Sequence, residues 1–116
     1  MKQTTPAPPA GLLPPGRKLW RSVVADFELA VHEAVQLEEA CRCRDRITSL
    51  RALVEKHGEM IESSQGLRLH PGIAEVRAQQ LALARILATL GVPPLSEDKD
   101  MLPKSSGVRG VYGRRG

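Results

Sequence analysis

Apolar positions in this chain repeat at helical spacing in three separate stretches. Leu19, Val23 and Phe27 step by four, and Trp20 and Val24 widen the stripe, which predicts a short helix over about 17–27. A second pattern predicts a helix from Val31 to His57, with Gly58 as its stop. Within it Ala40, Cys43, Ile47, Leu50 and Val54 step by three and four, a narrow coiled-coil-like seam flanked by Ala34, Leu37 and Leu53. Such a rod is about 40 Å long, so part of its apolar face must meet another helix, of its own chain or of a neighbour's.

The period then changes. Met60-Ile-Glu and Leu67-Arg-Leu are β-compatible pieces on either side of Ser63-Ser-Gln-Gly66, which reads as a small hairpin. His70-Pro71-Gly72 opens a third helix, expected over Ile73–Leu90 and stopped by Gly91-Val92-Pro93-Pro94. From Leu81 to Leu90 this helix is apolar almost all round. A helix apolar on all sides is buried on all sides, and with two other helices in the chain, neighbouring subunits are the expected cover. The candidate interface is Leu50, Val54, Leu83, Ile86, Leu87 and Leu90. The fold class is therefore all-α: a short N-terminal helix and a long antiparallel pair joined by a hairpin, in an oligomer.

Composition limits what such a fold can hold. Of 116 residues, 1–16 form a leader broken by Pro6, Pro8, Pro9, Pro14 and Pro15, where neither helix nor sheet is expected. Residues 92–116 are a tail with glycine at every third place from Gly107. The remaining 17–91 are the helical domain. Aromatics amount to 3%, so the core rests on aliphatic side chains and is thin for a monomer. A large catalytic domain is excluded and oligomerisation is favoured. No run of apolar residues approaches the 18 or so of a membrane span, and the N-terminus lacks the proline-free apolar stretch of a signal peptide.

Chemistry-bearing motifs are sparse. No phosphate-binding loop, dinucleotide fingerprint or His-Glu-x-x-His is present. Cys41 and Cys43 point about 200° apart on a helix and cannot pair with each other, which suits a reducing cytoplasm. A single Cys-x-Cys on a helix, with His57 and His70 as the other soft ligands, does not match structural zinc. Glu38 and Arg42 have the i, i+4 spacing of a surface ion pair. No catalytic residues, metal or cofactor are expected.

The net charge of +4 is unevenly spread. Residues 1–25 are +4 with no acid, 26–62 are −4, and the last thirteen residues are again +4 with no acid. Unopposed charge at the ends of a helical body suits contact with a polyanion such as a phosphate backbone. The candidate DNA-binding residues are Arg17, Lys18 and Arg21 on the first helix, Arg42 and Arg46 on the second, and Lys104, Arg109, Arg114 and Arg115 in the tail. Val108, Val111 and Tyr112 are of little use against phosphates and suit a protein groove instead.

Several stretches, in this order, resemble the small terminase subunits of tailed bacteriophages. They are Gly16-Arg-Lys-Leu-Trp-Arg-Ser-Val-Val-Ala-Asp-Phe-Glu-Leu, Leu37-Glu-Glu-Ala-Cys-Arg-x-x-Asp-Arg, the turn before His70-Pro71, Val76-Arg-Ala-Gln-Gln-Leu-Ala-Leu-Ala-Arg-Ile-Leu-Ala-x-Leu-Gly and Arg109-Gly-Val-Tyr112. The resemblance spans about 16–94 and the tail. It implies a non-enzymatic, ring-forming component of a genome-packaging motor, acting in the bacterial host cytoplasm. Such a subunit binds double-stranded viral DNA where packaging begins and presents it to the large terminase subunit, which carries the ATPase and nuclease. The large subunit would then be the partner of Val108, Val111 and Tyr112. One departure is that no helix-turn-helix of standard spacing is evident here. The competing class is a coiled-coil adaptor or regulatory protein without DNA contact.

Overall fold

The computed structural model describes residues 5–93. Three helices and one two-stranded antiparallel sheet follow in the order α1 (Pro14–Asp26), α2 (Val31–His57), β1 (Met60–Ser63), β2 (Gly66–Leu69) and α3 (Pro71–Leu90). Helices α2 and α3 pack against each other along their lengths, and α1 packs on the first half of α2. The core is Leu12, Trp20, Val23, Val24, Phe27, Leu37, Ala40, Cys41 and Leu90, all buried around the α1–α2 contact and the end of α3.

Two helix bounds follow the sequence pattern and one does not. Helix α2 covers Val31–His57, as its pattern predicts. Its start carries half a capping box: Glu33 Oε1 accepts the Ala30 N–H at 2.9 Å. Helix α3 ends at Gly91, whose left-handed φ of 79° lets the turned-back N–H reach the Leu87 and Ala88 carbonyls. Helix α1, however, begins at Pro14, inside the leader where no helix was expected. Prolines at the first two helical positions lack only N–H groups that the helix leaves unused.

The leader is otherwise built onto the body. Leu12 is buried in the core. Trp20 Nε1 donates to the Pro6 carbonyl at 3.0 Å, and Arg42 Nη2 to that of Ala10 at 3.4 Å. Residues 5–16 therefore differ from the unstructured leader predicted from proline content. Their backbone groups find partners on α1 and α2 that the sequence pattern does not reveal.

The α2 seam is also wider than its heptad spacing predicts. Ala40 and Ile47 are buried as expected, but Leu37 and Cys41 are fully buried too, while Cys43, Leu50 and Val54 are half-buried and Leu53 is exposed. The reason is that α2 is covered from two directions in its first half, by α1 and by α3, and from one direction beyond it.

The hairpin pairs Met60 with Leu69, Ile61 with Arg68, Glu62 with Leu67 and Ser63 with Gly66. Paired residues share a face, so Met60, Glu62, Leu67 and Leu69 line one side. That side is solvent-exposed: Met60, Leu67 and Leu69 each leave half or more of their surface uncovered.

Candidate nucleic-acid interface

Helix α1 is held to α2 by a carboxylate 29 residues ahead in sequence. Asp45, itself buried, accepts the Leu13 N–H at 2.7 Å and the Gly16 N–H at 2.6 Å. Leu13 is the N-cap of α1 and has no side-chain cap of its own, so Asp45 caps the helix from across the fold. A negative charge there also meets the positive end of the helix dipole. The approach is close enough to require glycine. A Cβ on Gly16 would stand 2.5 Å from Asp45 Oδ2 and 2.8 Å from the Cys41 carbonyl.

This docking fixes where the basic side chains of α1 go. Trp20, Val23 and Val24 face the core, so Lys18 and Arg21 fall on the solvent side and are exposed. Arg17 is half-buried, its Nη1 donating to the Leu12 carbonyl. No acidic residue precedes Asp26 in this helix. The result is a short rigid helix with a basic outer surface.

The α2 candidates divide. Arg42 pairs with Glu38, Nη2 to Oε2 at 2.5 Å, as the i, i+4 spacing predicts. That hydrogen bond, opposed by desolvation, raises its pKa. With a further bond to Ala10, Arg42 ties down the leader and is poorly placed to contact phosphate. Arg46 is exposed. Arg44 and Arg51 also lie on this helix, and the Arg44 guanidinium has its pKa lowered by burial first and by Arg51 second. Lys104, Arg109, Arg114 and Arg115, and with them Val108, Val111 and Tyr112, lie outside the described residues.

Cysteine chemistry is suppressed here. Burial, then the Asp45 and Glu38 carboxylates, push the Cys41 thiol up to about 12 against the opposing pull of Arg42. Cys43 is shifted upward as well, by burial, with Arg46 pulling the other way. Neither is a ready nucleophile or metal ligand. Among the described residues no group of three or more His, Cys, Asp or Glu side chains is arranged to hold a metal ion, and no helix is long and apolar enough to cross a membrane.

The predicted interface residues sit closer to the chain's own core than their spacing implied. Leu90 is buried within the chain, which leaves none of its surface for a neighbour. Leu83, Ile86 and Leu87 are half-buried and pack on the core cluster. Val54 is half-buried, and its Cγ2 lies 3.0 Å from where a Cβ of Gly72 would be. Among the described residues, the large apolar side chains left open are instead Val31, Val35, Leu53, Met60, Leu67, Leu69 and Leu81, with Leu13. An open groove of about 570 Å³ runs beside the hairpin end, with Val54, Ile73 and Val76 as apolar lining and Arg51, Glu55 and Glu59 as charged lining.

No protein-family model, curated protein or solved structure matches the chain.

Proposed function

We propose that this chain is a small terminase subunit: a non-catalytic, self-associating protein of the bacterial host cytoplasm that binds double-stranded viral DNA and presents it to the large ATPase-nuclease subunit. The observation that carries the DNA contact is helix α1, clamped by Asp45 and turned so that Lys18 and Arg21 face solvent. Charges fixed on a rigid helix lose little freedom on meeting phosphates, and each phosphate neutralised releases condensed counterions. The uncovered apolar side chains on α2, the hairpin and α3 supply surface for assembly into a ring. Assembly multiplies a weak contact per subunit into useful avidity.

The test is binding of the full chain to a duplex oligonucleotide across a salt series. Affinity should fall steeply with salt, and Lys18→Glu with Arg21→Glu should weaken binding and make the salt slope shallower by about two. A flat salt response in the wild-type chain would refute the phosphate contact. The competing reading, an adaptor with no DNA contact, draws on the exposed Met60, Leu67 and Leu69 face. It would be favoured by absent DNA binding together with a dimeric or trimeric mass in solution.

A further inference from the structure

The junction between α2 and α3 is closed by two imidazoles. His57 is the last residue of α2 and His70 is the N-cap of α3. Their rings meet edge to edge, with centroids 5.5 Å apart and planes 11° from parallel, and His57 Nδ1 lies 3.3 Å from His70 Nε2. On its other side His70 Nδ1 accepts the Gly72 N–H at 2.9 Å. The His70 backbone adds two more ties: its N–H donates to the Glu59 carbonyl at 2.6 Å and its carbonyl accepts the Ile73 N–H at 3.0 Å.

One proton arrangement satisfies both imidazole bonds. Accepting from Gly72 requires a bare Nδ1 on His70, so its single proton is on Nε2. That Nε2–H then donates to a bare Nδ1 on His57, which carries its own proton on Nε2. Any added proton conflicts with this chain of bonds. On His70 Nδ1 it would face the Gly72 N–H, donor against donor, and α3 would lose its cap. On His57 Nδ1 it would face the Nε2–H of His70, and the rings would part. The same arrangement argues against metal chelation by the pair, since His70 Nε2 carries hydrogen where a metal needs a lone pair.

The charged side chains that lie near this junction in sequence or line the groove beside it are Arg51, Glu55 and Lys56 on α2, Glu59 in the link, Glu62 on β1, Arg68 on β2 and Glu75 and Arg77 on α3. None of them hydrogen-bonds or ion-pairs with either ring. Among the described residues, no carboxylate hydrogen-bonds either ring in this arrangement.

We propose that His57 and His70 form a pH-sensitive clasp: in the neutral state it fastens the start of α3 and the base of the hairpin to the end of α2, and the first added proton opens it. The clasp lies at the hairpin, away from the basic helix α1, and does not depend on what α1 binds. Opening it loosens the segment that carries the exposed Met60, Leu67 and Leu69 face.

Thermal unfolding of the full chain at about pH 7.5 and about pH 5.5, across the range where histidine changes charge, tests the clasp. His70→Asn keeps a side-chain cap that does not titrate, and His32 is common to both proteins. The wild-type chain should lose about 4–8 °C more than His70→Asn on acidification, the shift expected for one such bond in a domain this small. Equal losses in the two proteins would overturn the proposal. Imidazole nitrogen NMR of the wild-type chain at the higher pH decides the matter even if the variant does not fold. His70 should carry its proton on Nε2 with Nδ1 bare, and a proton on Nδ1 would equally overturn the clasp.

Discussion

The two ends of α2 are built differently although they belong to one continuous helix. In its first half, Leu37, Ala40, Cys41 and Asp45 are enclosed by α1, the leader and the end of α3. Toward its last turns, Leu53 is exposed, Val54 is half-buried, and the hairpin beyond them turns Met60, Leu67 and Leu69 to solvent. The first half encloses the core of the chain, although Val31 and Val35 at its start face solvent. The second has apolar surface without cover, and an isolated two-stranded ribbon is only marginally stable in water. Buried packing is thus concentrated toward the first half of the rod, and the hairpin end is left more open.

The sharpest way to break this comparison is to truncate one residue at each end. Leu37→Ala removes a fully buried side chain and should cost about 3–4 kcal/mol in denaturant unfolding. Leu67→Ala should stay within about 0.5 kcal/mol in the same measurement. Similar costs would mean that the hairpin end is covered in the free protein.

Next in size is the remote cap. Asp45→Ala leaves the buried Gly16 N–H and the part-buried Leu13 N–H without their acceptor, and a loss of about 2–3 kcal/mol is expected. The leader should come free at the same time, which limited proteolysis before Pro14 and a change in Trp20 fluorescence would register. Intact protection of the leader would show that Leu12 burial alone holds it.

An effect absent at neutral pH separates the two cysteines. The Cys41 thiol stays protonated up to about pH 12 in the folded chain but ionises near 9.0 when unfolded. Stability from this group is therefore fully present below 9 and declines as pH rises from 9 toward 12. Cys41→Ser should flatten that decline, read from unfolding midpoints along a pH series. A thiol reagent at neutral pH should modify the half-buried Cys43 well before Cys41.

The smallest change in stability is expected at the hairpin, where association is the quantity to follow. Leu67→Ser with Leu69→Ser should leave the unfolding free energy within about 0.5 kcal/mol. Sedimentation should show a lower assembled mass if this face joins copies. An unchanged mass would move the interface to Val31, Val35 or Leu81.

How far the basic helix could be read from the sequence follows from the same division. The stripe Trp20, Val23 and Val24 already left Lys18 and Arg21 to other positions of a helix, because the 3.6-residue period is a local property of the chain. The Glu38–Arg42 pair was equally local. That Arg42 also reaches Ala10 required a contact 32 residues away, and no spacing rule encodes it.

The sequence by itself determined the elements: α2 from Val31 to His57 with Gly58 as its stop, the hairpin about Ser63–Gly66, and the end of α3 before Gly91. Periodicity, turn residues and glycine stops act over a few residues, so they can be read without the fold. Tertiary structure decided that Pro14 opens a helix, that Asp45 caps it, that Cys41 rather than Cys43 is buried, and that His57 meets His70. Each of these depends on a backbone N–H or a side chain finding its partner from another element, and a buried polar group must find one somewhere. The sequence carries the demand for such partners, but only packing selects which residue meets it.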